Sequence, residues 1–375
     1  VSRYSRILWI HGLYASRIAR GYGGGERSFH LASLIAEITG GRLIHVAIRE
    51  PRGMHRTGLD NIILVELSRA SLLARMLLKP FASILGSRSS ARALGLRALK
   101  LRGRDRHKLL KLVDTGTLVV LDSLRGYLAA RGVVQAIRRK AGLTVYLGHN
   151  FEADYYSSLR SMVMRLEGEA IRSSDLVIAA SLRDMLRYTR DLGAPEEKTM
   201  VFPNIFPPRG EYLQRKNSSK TMAIITGPEY CGEILRISRM LGENKELEVL
   251  VFGGRCRKID GVAPNVKTIG FIESRREFLS KLSKAHIGLN YGLWLGGSST
   301  KRYDYALAGL AVASNSIGAR GYPLPGEICF ADEYDLAAKV EAIPVGEAVE
   351  MGEANHRRVL EIYEEAVNRL RRMLA

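Results

Sequence analysis

The stretch Gly297–Gly321, GSSTKRYDYALAGLAVASNSIGARG, decides the reading of this chain. A polar, Gly-rich loop runs into a short helix, then a Gly turn, a strand of small apolar residues and a second Gly-rich loop. A helix that opens on Ser298-Ser299-Thr300-Lys301 turns unpaired backbone N–H groups and a lysine toward whatever lies in front of it. That is an anion site by geometry, with a diphosphate as its natural occupant. Asp304 and Tyr305 follow within one turn, in reach of a sugar attached to such a group. The bland alternative is a solvent-facing Lys301, but on that reading the Gly-Gly-Ser-Ser-Thr run before it has little purpose.

Working outward, short apolar runs alternate with helical patterns along the whole chain. RILWIHG, LIHVAI, NIILVEL, TLVVLD, LTVYLGHN and DLVIAAS read as strands in the first half; MAIITG, LEVLVFGG, VKTIGF, HIGLNY and AVASN do so in the second. This rhythm predicts βα units and two parallel sheets, an α/β class. With 375 residues the chain suits two domains. Three prolines in Pro203–Pro208 and the polar run RGEYLQRKNSSK mark the linker. The expected division is residues 1–206, residues 207–346 and a C-terminal helix over 347–375 that crosses back to the first domain.

The net charge of +19 is unevenly spread: from Arg69 to Lys140 there are 17 Lys/Arg against 3 Asp/Glu. A field that local attracts an anionic partner. The segment from Ser68 to Val113 is both basic and apolar, with Leu72, Leu73, Met76, Leu77 and Phe81 at helical spacing. It reads as an insertion that lies on an anionic membrane surface; a surface hairpin and a nucleic-acid patch are the alternatives. Only Phe81 and Tyr127 are aromatic in the basic region and no RNA or DNA module is present, so nucleic acid is not an expected partner. No run of about 18 apolar residues exists to span a bilayer. The N-terminal residues read as a first strand and lack the pattern of a signal peptide. Cys231, Cys256 and Cys329 fit neither a disulfide framework nor a zinc site, which points to a reducing cytoplasm.

Two further constellations carry chemistry. Gly21–Arg27 follows the first strand and precedes a helical pattern over Ser28–Ile38, so it aims backbone N–H groups from a strand's carboxyl end; it matches neither GxGxxG nor a phosphate loop, and a tight turn without a ligand is the alternative. His149, Asn150, Glu152 and Asp154, with Tyr155 and Tyr156, follow the strand Thr144–Leu147. They suit sugar hydroxyls and proton movement, without the spacing of metal ligands; a structural role for His149 is the alternative. In the next helical segment Met162, Leu166, Ala170 and Ile171 form the packed face, Glu167 and Glu169 a solvated or interface face, and Ser181 caps the following helix.

In this order the segments GGGER, HNFEADYY, EGEAIRSSDLVIAAS with FPN, KTIGFIESRREFLSKLSKAHIGLNYG and KRYDYALAGLAVASNSIGARG resemble glycosyltransferase family 4, the retaining GT-B enzymes, over nearly the whole chain. The resemblance implies a GT-B architecture, two Rossmann-like domains facing across a cleft, acceptor on the N-terminal domain and nucleotide-sugar on the C-terminal one. It implies catalytic roles for His149, Lys301 and Asp304. It places Gly227, Gly270, Phe271, Ile272, Ser298, Ser299, Thr300, Lys301, Asp304 and Tyr305 on the donor side, Asp304 at the ribose. Gly24, Gly25, Glu26, Asn150, Glu152 and Asp154 fall on the acceptor side. Two departures stand out: Gly296 occupies the position of the family's first glutamate, and TGPEYCGEIL lacks its Arg and Lys.

The resulting expectation is a glycosyltransferase that moves a sugar from a nucleotide-sugar to a lipid-linked or membrane-surface acceptor, with retention, no metal and no cofactor beyond that co-substrate. Its place would be the cytoplasm, peripherally on the inner face of the membrane. A nucleotide-sugar epimerase and a catalytically inactive GT-B scaffold are the alternatives.

Overall fold

A computed structural model describes residues 3–14, 23–48, 61–66, 101–156, 159–208, 217–226, 231–253, 259, 261–293 and 299–375. The chain forms two compact units, Val1–Pro203 with Ala366–Ala375, and Asn204–Glu365. The division falls at Pro203, three residues before the expected 206, because Ile205 already belongs to a core of the second unit.

The first unit runs β1 (Arg6–Tyr14), α1 (Gly23–Thr39), β2 (Arg42–Ile48), β3 (Ile62–Val65), α2 (Gly103–Leu112), β4 (Thr117–Asp122), α3 (Ser123–Ala130), α4 (Val134–Lys140), β5 (Leu143–Leu147), α5 (Arg160–Arg172), β6 (Leu176–Ala179), α6 (Leu182–Leu192) and β7 (Thr199–Val201). Its seven strands are parallel in the order β3-β2-β1-β4-β5-β6-β7. Every residue of β4, TLVVLD, is buried, as a parallel strand covered on both faces requires. Ser181 caps α6 as expected, accepting from the Asp184 N–H, and Gly193 ends that helix in the left-handed region at φ 70°.

The second unit runs β8 (Thr221–Ile225), α7 (Cys231–Leu241), β9 (Glu248–Phe252), β10 (Val266–Gly270), α8 (Arg275–Leu282), β11 (Ile287–Asn290), α9 (Thr300–Leu307), β12 (Ala311–Asn315), β13 (Glu327–Phe330), α10 (Glu333–Ala342) and α11 (Val345–Leu374). Its six strands are parallel in the order β10-β9-β8-β11-β12-β13. Alternate residues serve opposite faces: Met222 and Ile224 enter one core, Ala223 the other. The helix α11 starts in the second unit and its last turns belong to the first, where Arg369 donates to the Thr199 carbonyl at 3.0 Å.

Several expectations need correction. Strands β7 and β13 were not foreseen: β7 has three residues, and β13 is an edge strand interrupted by exposed Cys329. Helix α1 starts at Gly23, so Gly24, Gly25 and Glu26 occupy its first turn rather than a loop. N–H groups there have no partner within the helix, so glycine weakens that turn less than it would an interior one. Glu167 is fully buried and not solvated. Cys231 is disulfide-bonded while Cys329 is free, so the reduced-cysteine argument for a cytoplasmic location loses its footing. Of the basic insertion, residues 67–100 lie outside the described residues, and its end folds as α2. Among the described residues no helix is long and apolar enough to cross a membrane.

Helix α3 lies directly on β1. A Cβ at Gly126 would stand 2.2 Å from the Ile10 carbonyl oxygen. Gly126→Ala is therefore expected to cost about 1–3 kcal/mol by forcing helix and strand apart. Urea unfolding measures this, and an unchanged midpoint would contradict the close approach.

Candidate functional site

Strand order reverses between β1 and β4 in the first sheet and between β8 and β11 in the second. Open parallel sheets bind ligands beyond their strands' carboxyl ends at such points. Each unit has a polar cluster there.

In the first unit, β1 and β4 pair Ile10 with Leu121, which brings the next residues, His11 and Asp122, together. Asp122 Oδ2 accepts from His11 Nδ1 at 2.7 Å and from Trp9 Nε1 at 3.0 Å; its Oδ1 meets His149 Nε2 at 2.6 Å. His11 Nε2 lies 2.9 Å from His45 Nδ1, and the two rings stack with centroids 5.2 Å apart. Ser28 Oγ is 3.4 Å from His149 Nε2. The Asp122 side chain is 4% exposed and that of His149 13%, so His149 is the member of this pair that reaches toward solvent. Burial would raise the Asp122 carboxyl, but His149 and His11 outweigh it and hold it well below the ordinary carboxylate range. Burial, reinforced by His11, lowers His45 to about 4. The next residue, Ser123, has φ 62°, a left-handed conformation that costs a non-glycine residue energy and recurs at functional sites.

The loop that carries His149 is held by buried carboxylates. Glu167 accepts from the Glu152 N–H at 3.1 Å and from the hydroxyls of Tyr146 at 3.0 Å and Tyr188 at 3.3 Å. Asp184 accepts from the Phe151 N–H at 3.1 Å and from Ser181 Oγ at 2.7 Å. The Asn150 carbonyl accepts from Tyr188 at 2.7 Å. Burial pushes the carboxyls of Glu167, Glu152 and Asp184 up. Arg27, fully buried, donates to the carbonyls of Phe202 at 2.6 Å and Ala179 at 3.2 Å, and burial lowers it to about 10.

Of the acceptor-side expectations, Glu152 lies beside His149, while Asp154 is engaged by Arg187 at 3.4 Å, Arg160 at 3.7 Å and Arg183 at 3.9 Å. A carboxylate so surrounded is an ion-pair hub. Asp122, His11, His45 and Arg27 were not foreseen. The signal for Asp122 was present: TLVVLD ends a wholly apolar strand in a carboxylate.

In the second unit, Ser299 donates to Asn290 Oδ1 at 2.7 Å, and Asn290 Nδ2 donates to the Gly318 carbonyl at 2.7 Å. Asn204 Nδ2 donates to Thr300 Oγ1 at 3.3 Å. The start of α9 is thereby fixed to the ends of β11 and of the loop after β12. Asp304 pairs with Arg275 Nη2 at 2.5 Å; burial raises its carboxyl and Arg275 opposes that. Arg275 also donates to the Phe206 carbonyl at 3.2 Å. It is a cation near Asp304 that the sequence reading had missed. Lys301 is half-buried in the first turn of α9. The rest of that helix is structural: Arg302 binds Glu327 with two bonds at 2.9 and 2.6 Å, and Tyr303 is buried. Tyr305 is a correction, because its ring is fully buried and its hydroxyl donates to the Leu289 carbonyl at 2.9 Å and accepts from the Ile225 N–H at 2.6 Å. Gly288 makes room for it, since a Cβ there would come within 2.2 Å of the tyrosine ring.

Gly270 ends β10 at φ 82°, Phe271 is 70% exposed, and a hollow of about 560 Å³ is lined by Ile269, Phe271, Ile272, Glu273, Ser274, Glu277 and Lys281. Gly227 and Ser298 lie outside the described residues. Among the described residues no cluster of three or more His, Cys, Asp or Glu side chains is arranged to hold a metal.

No protein-family model matches the sequence, and no curated protein does. Solved structures do match. HepE of Anabaena, in complex with UDP and glucose, superposes over 98% of this chain and 99% of its own with a TM-score of 0.64 at 11% identity. The fold is that of the GT-B glycosyltransferases. A second GT-B structure, the lipopolysaccharide outer core galactosyltransferase WaaB, covers 97% and 99% with a TM-score of 0.63 at 11% identity. The α,α-trehalose 6-phosphate synthase of Burkholderia multivorans covers 100% and 98% with a TM-score of 0.60 at 12% identity.

The first-unit cluster imposes a pH dependence on stability. The folded protein keeps His45 neutral down to about pH 4, whereas an unfolded histidine protonates near about 6.5. Between these values the unfolded state binds the extra proton, so stability falls as pH drops across that window, by up to about 3 kcal/mol. His45→Phe is expected to flatten this part of the curve. Equal slopes for both proteins in urea titrations from pH 7 to 4 would contradict the buried neutral imidazole.

Proposed function

We propose that this chain is a glycosyltransferase that moves a sugar from a nucleotide-sugar to an acceptor hydroxyl. One observation carries the reading: essentially the whole chain follows the fold of glycosyltransferases, among them one crystallised with UDP-glucose. The polar clusters at both switch points support it. Lys301 and the N–H groups that open α9 serve the donor diphosphate, and Asp304 with Arg275 the ribose side. His149, held by Asp122, serves the transferring sugar, and Glu152 the acceptor.

In the reaction the bond from the anomeric carbon to the diphosphate oxygen breaks. The acceptor oxygen bonds to that carbon, and the acceptor's proton leaves with the phosphate or solvent. Charge grows on the departing diphosphate, where Lys301 and the α9 N-terminus stabilise it. This chemistry needs no metal, and retention of anomeric configuration accompanies it in the proposal. The excess of cations from Arg69 to Lys140 supports a lipid-linked acceptor at an anionic membrane surface.

A panel of UDP-, GDP- and ADP-sugars, with and without EDTA, tests the donor. One nucleotide series is expected to raise the melting temperature and to be turned over equally in EDTA. Lys301→Ala is expected to lower kcat about 100-fold. No response to any series would sink the reading. Vesicle flotation tests the surface: retention on anionic but not zwitterionic vesicles is expected, weakening with salt, and indifference to lipid charge would remove the membrane partner.

A further inference from the structure

Among the described residues Asp122 is the carboxylate hydrogen-bonded to His149, yet half of it faces away from His149. Its second oxygen accepts from Trp9 Nε1 and is held more closely by His11, which is backed in turn by His45. All three are at most 4% exposed. A parallel sheet buried on both faces ordinarily fills such positions with apolar side chains. This chain instead runs a hydrogen-bonded line from β2 through β1 to β4, ending at the loop after β5.

The line has a direction. Asp122 is ionised and can only accept, so His11 Nδ1 and His149 Nε2 carry the protons that meet it. When that is the one ring proton of His11, its Nε2 accepts and His45 donates from Nδ1. His45, lowered to about 4 chiefly by burial, stays neutral above that pH. Arg27 of α1 acts on Asp122, and Glu152 acts on His149; Arg125 of α3 and Asp184 of α6 act on Glu152. Phe29 of α1 stacks on His45 at 5.9 Å and closes the line.

We infer that His11, backed by His45, is a positioning residue: it pins Asp122 Oδ2, which keeps Oδ1 on His149 Nε2 and leaves Nδ1 as the atom that His149 presents to its ligand. What His149 does with Nδ1 rests on the proposed glycosyl transfer; the placement of the proton does not. His11 itself touches no reacting atom.

The inference is tested with protein labelled at the histidine ring nitrogens, in which proton–nitrogen correlations identify the protonated nitrogen of each of the eight histidines. In the parent, His149 is expected to carry its proton on Nε2 and His45 on Nδ1. His11→Leu removes one of the two donors to Asp122 Oδ2 and leaves Trp9 alone to hold it, so the carboxylate is expected to turn and give His149 a mixture of tautomers. It should also lower kcat for sugar-nucleotide turnover about 10-fold, with the donor KM within about twofold. His11→Asn places an amide donor where Nδ1 was, and is expected to restore the tautomer and to bring kcat within about threefold of the parent. His149 remaining on Nε2 in His11→Leu with kcat unchanged would overturn the inference, as would His11→Asn behaving like His11→Leu. If circular dichroism shows His11→Leu unfolded, His11→Gln asks the same question, since its longer amide cannot donate from the Nδ1 position. A parent with the assigned tautomers that turns over no sugar nucleotide would count against the proposed function, while the tautomers of the variants still decide the role of His11.

Discussion

A single buried carboxylate organises the first unit. Asp122 accepts from Trp9, His11 and His149, which come from β1 and from the loop after β5, so one charge ties three segments of chain to the carboxyl edge of the sheet. Isolated, that charge would be costly under so little solvent. It persists because each donor is an N–H aimed at it and because it sits at the N-terminus of α3, where the helix dipole favours negative charge. The strained backbone at Ser123 is the local consequence of turning from strand to helix while the carboxylate faces the histidines and caps no backbone N–H.

The second unit solves a similar problem with neutral groups. Asn290 at the end of β11 receives Ser299 and reaches Gly318. Asn315 at the end of β12 accepts from the N–H groups of Gly292 at 2.9 Å and Gly318 at 2.8 Å. Two asparagines thus tie two loops together around the start of α9. Amides can do this because each donates and accepts. The helix is then anchored from behind by Arg302 on Glu327 and by Tyr305 on β8 and β11.

The fold was largely legible because periodicity is local. Runs such as TLVVLD and LEVLVFGG declare buried parallel strands, and Ser181 declares its helix through a cap spanning three residues. Elements that fail that local test were missed: β7 is three residues long, and β13 alternates around an exposed cysteine. The candidate site was legible in part. His149 and Asp304 stood out by their position after strands and loops. Asp154 and Tyr305 stood out for the same reason, and the structure gives them other work, as an arginine hub and as a core ring.

From the sequence alone came the α/β class and most of the strands that form both sheets, since each depends on residues within a few positions of one another. Only the tertiary structure decided which polar residues act together. His11, His45, Asp122 and His149 are separated by up to 138 positions, and Arg275 and Asp304 by 29. Hydrogen bonds act over about 3 Å whatever the distance along the chain. Strand order brings those atoms together, and strand order is a property of the folded sheet that no local pattern encodes.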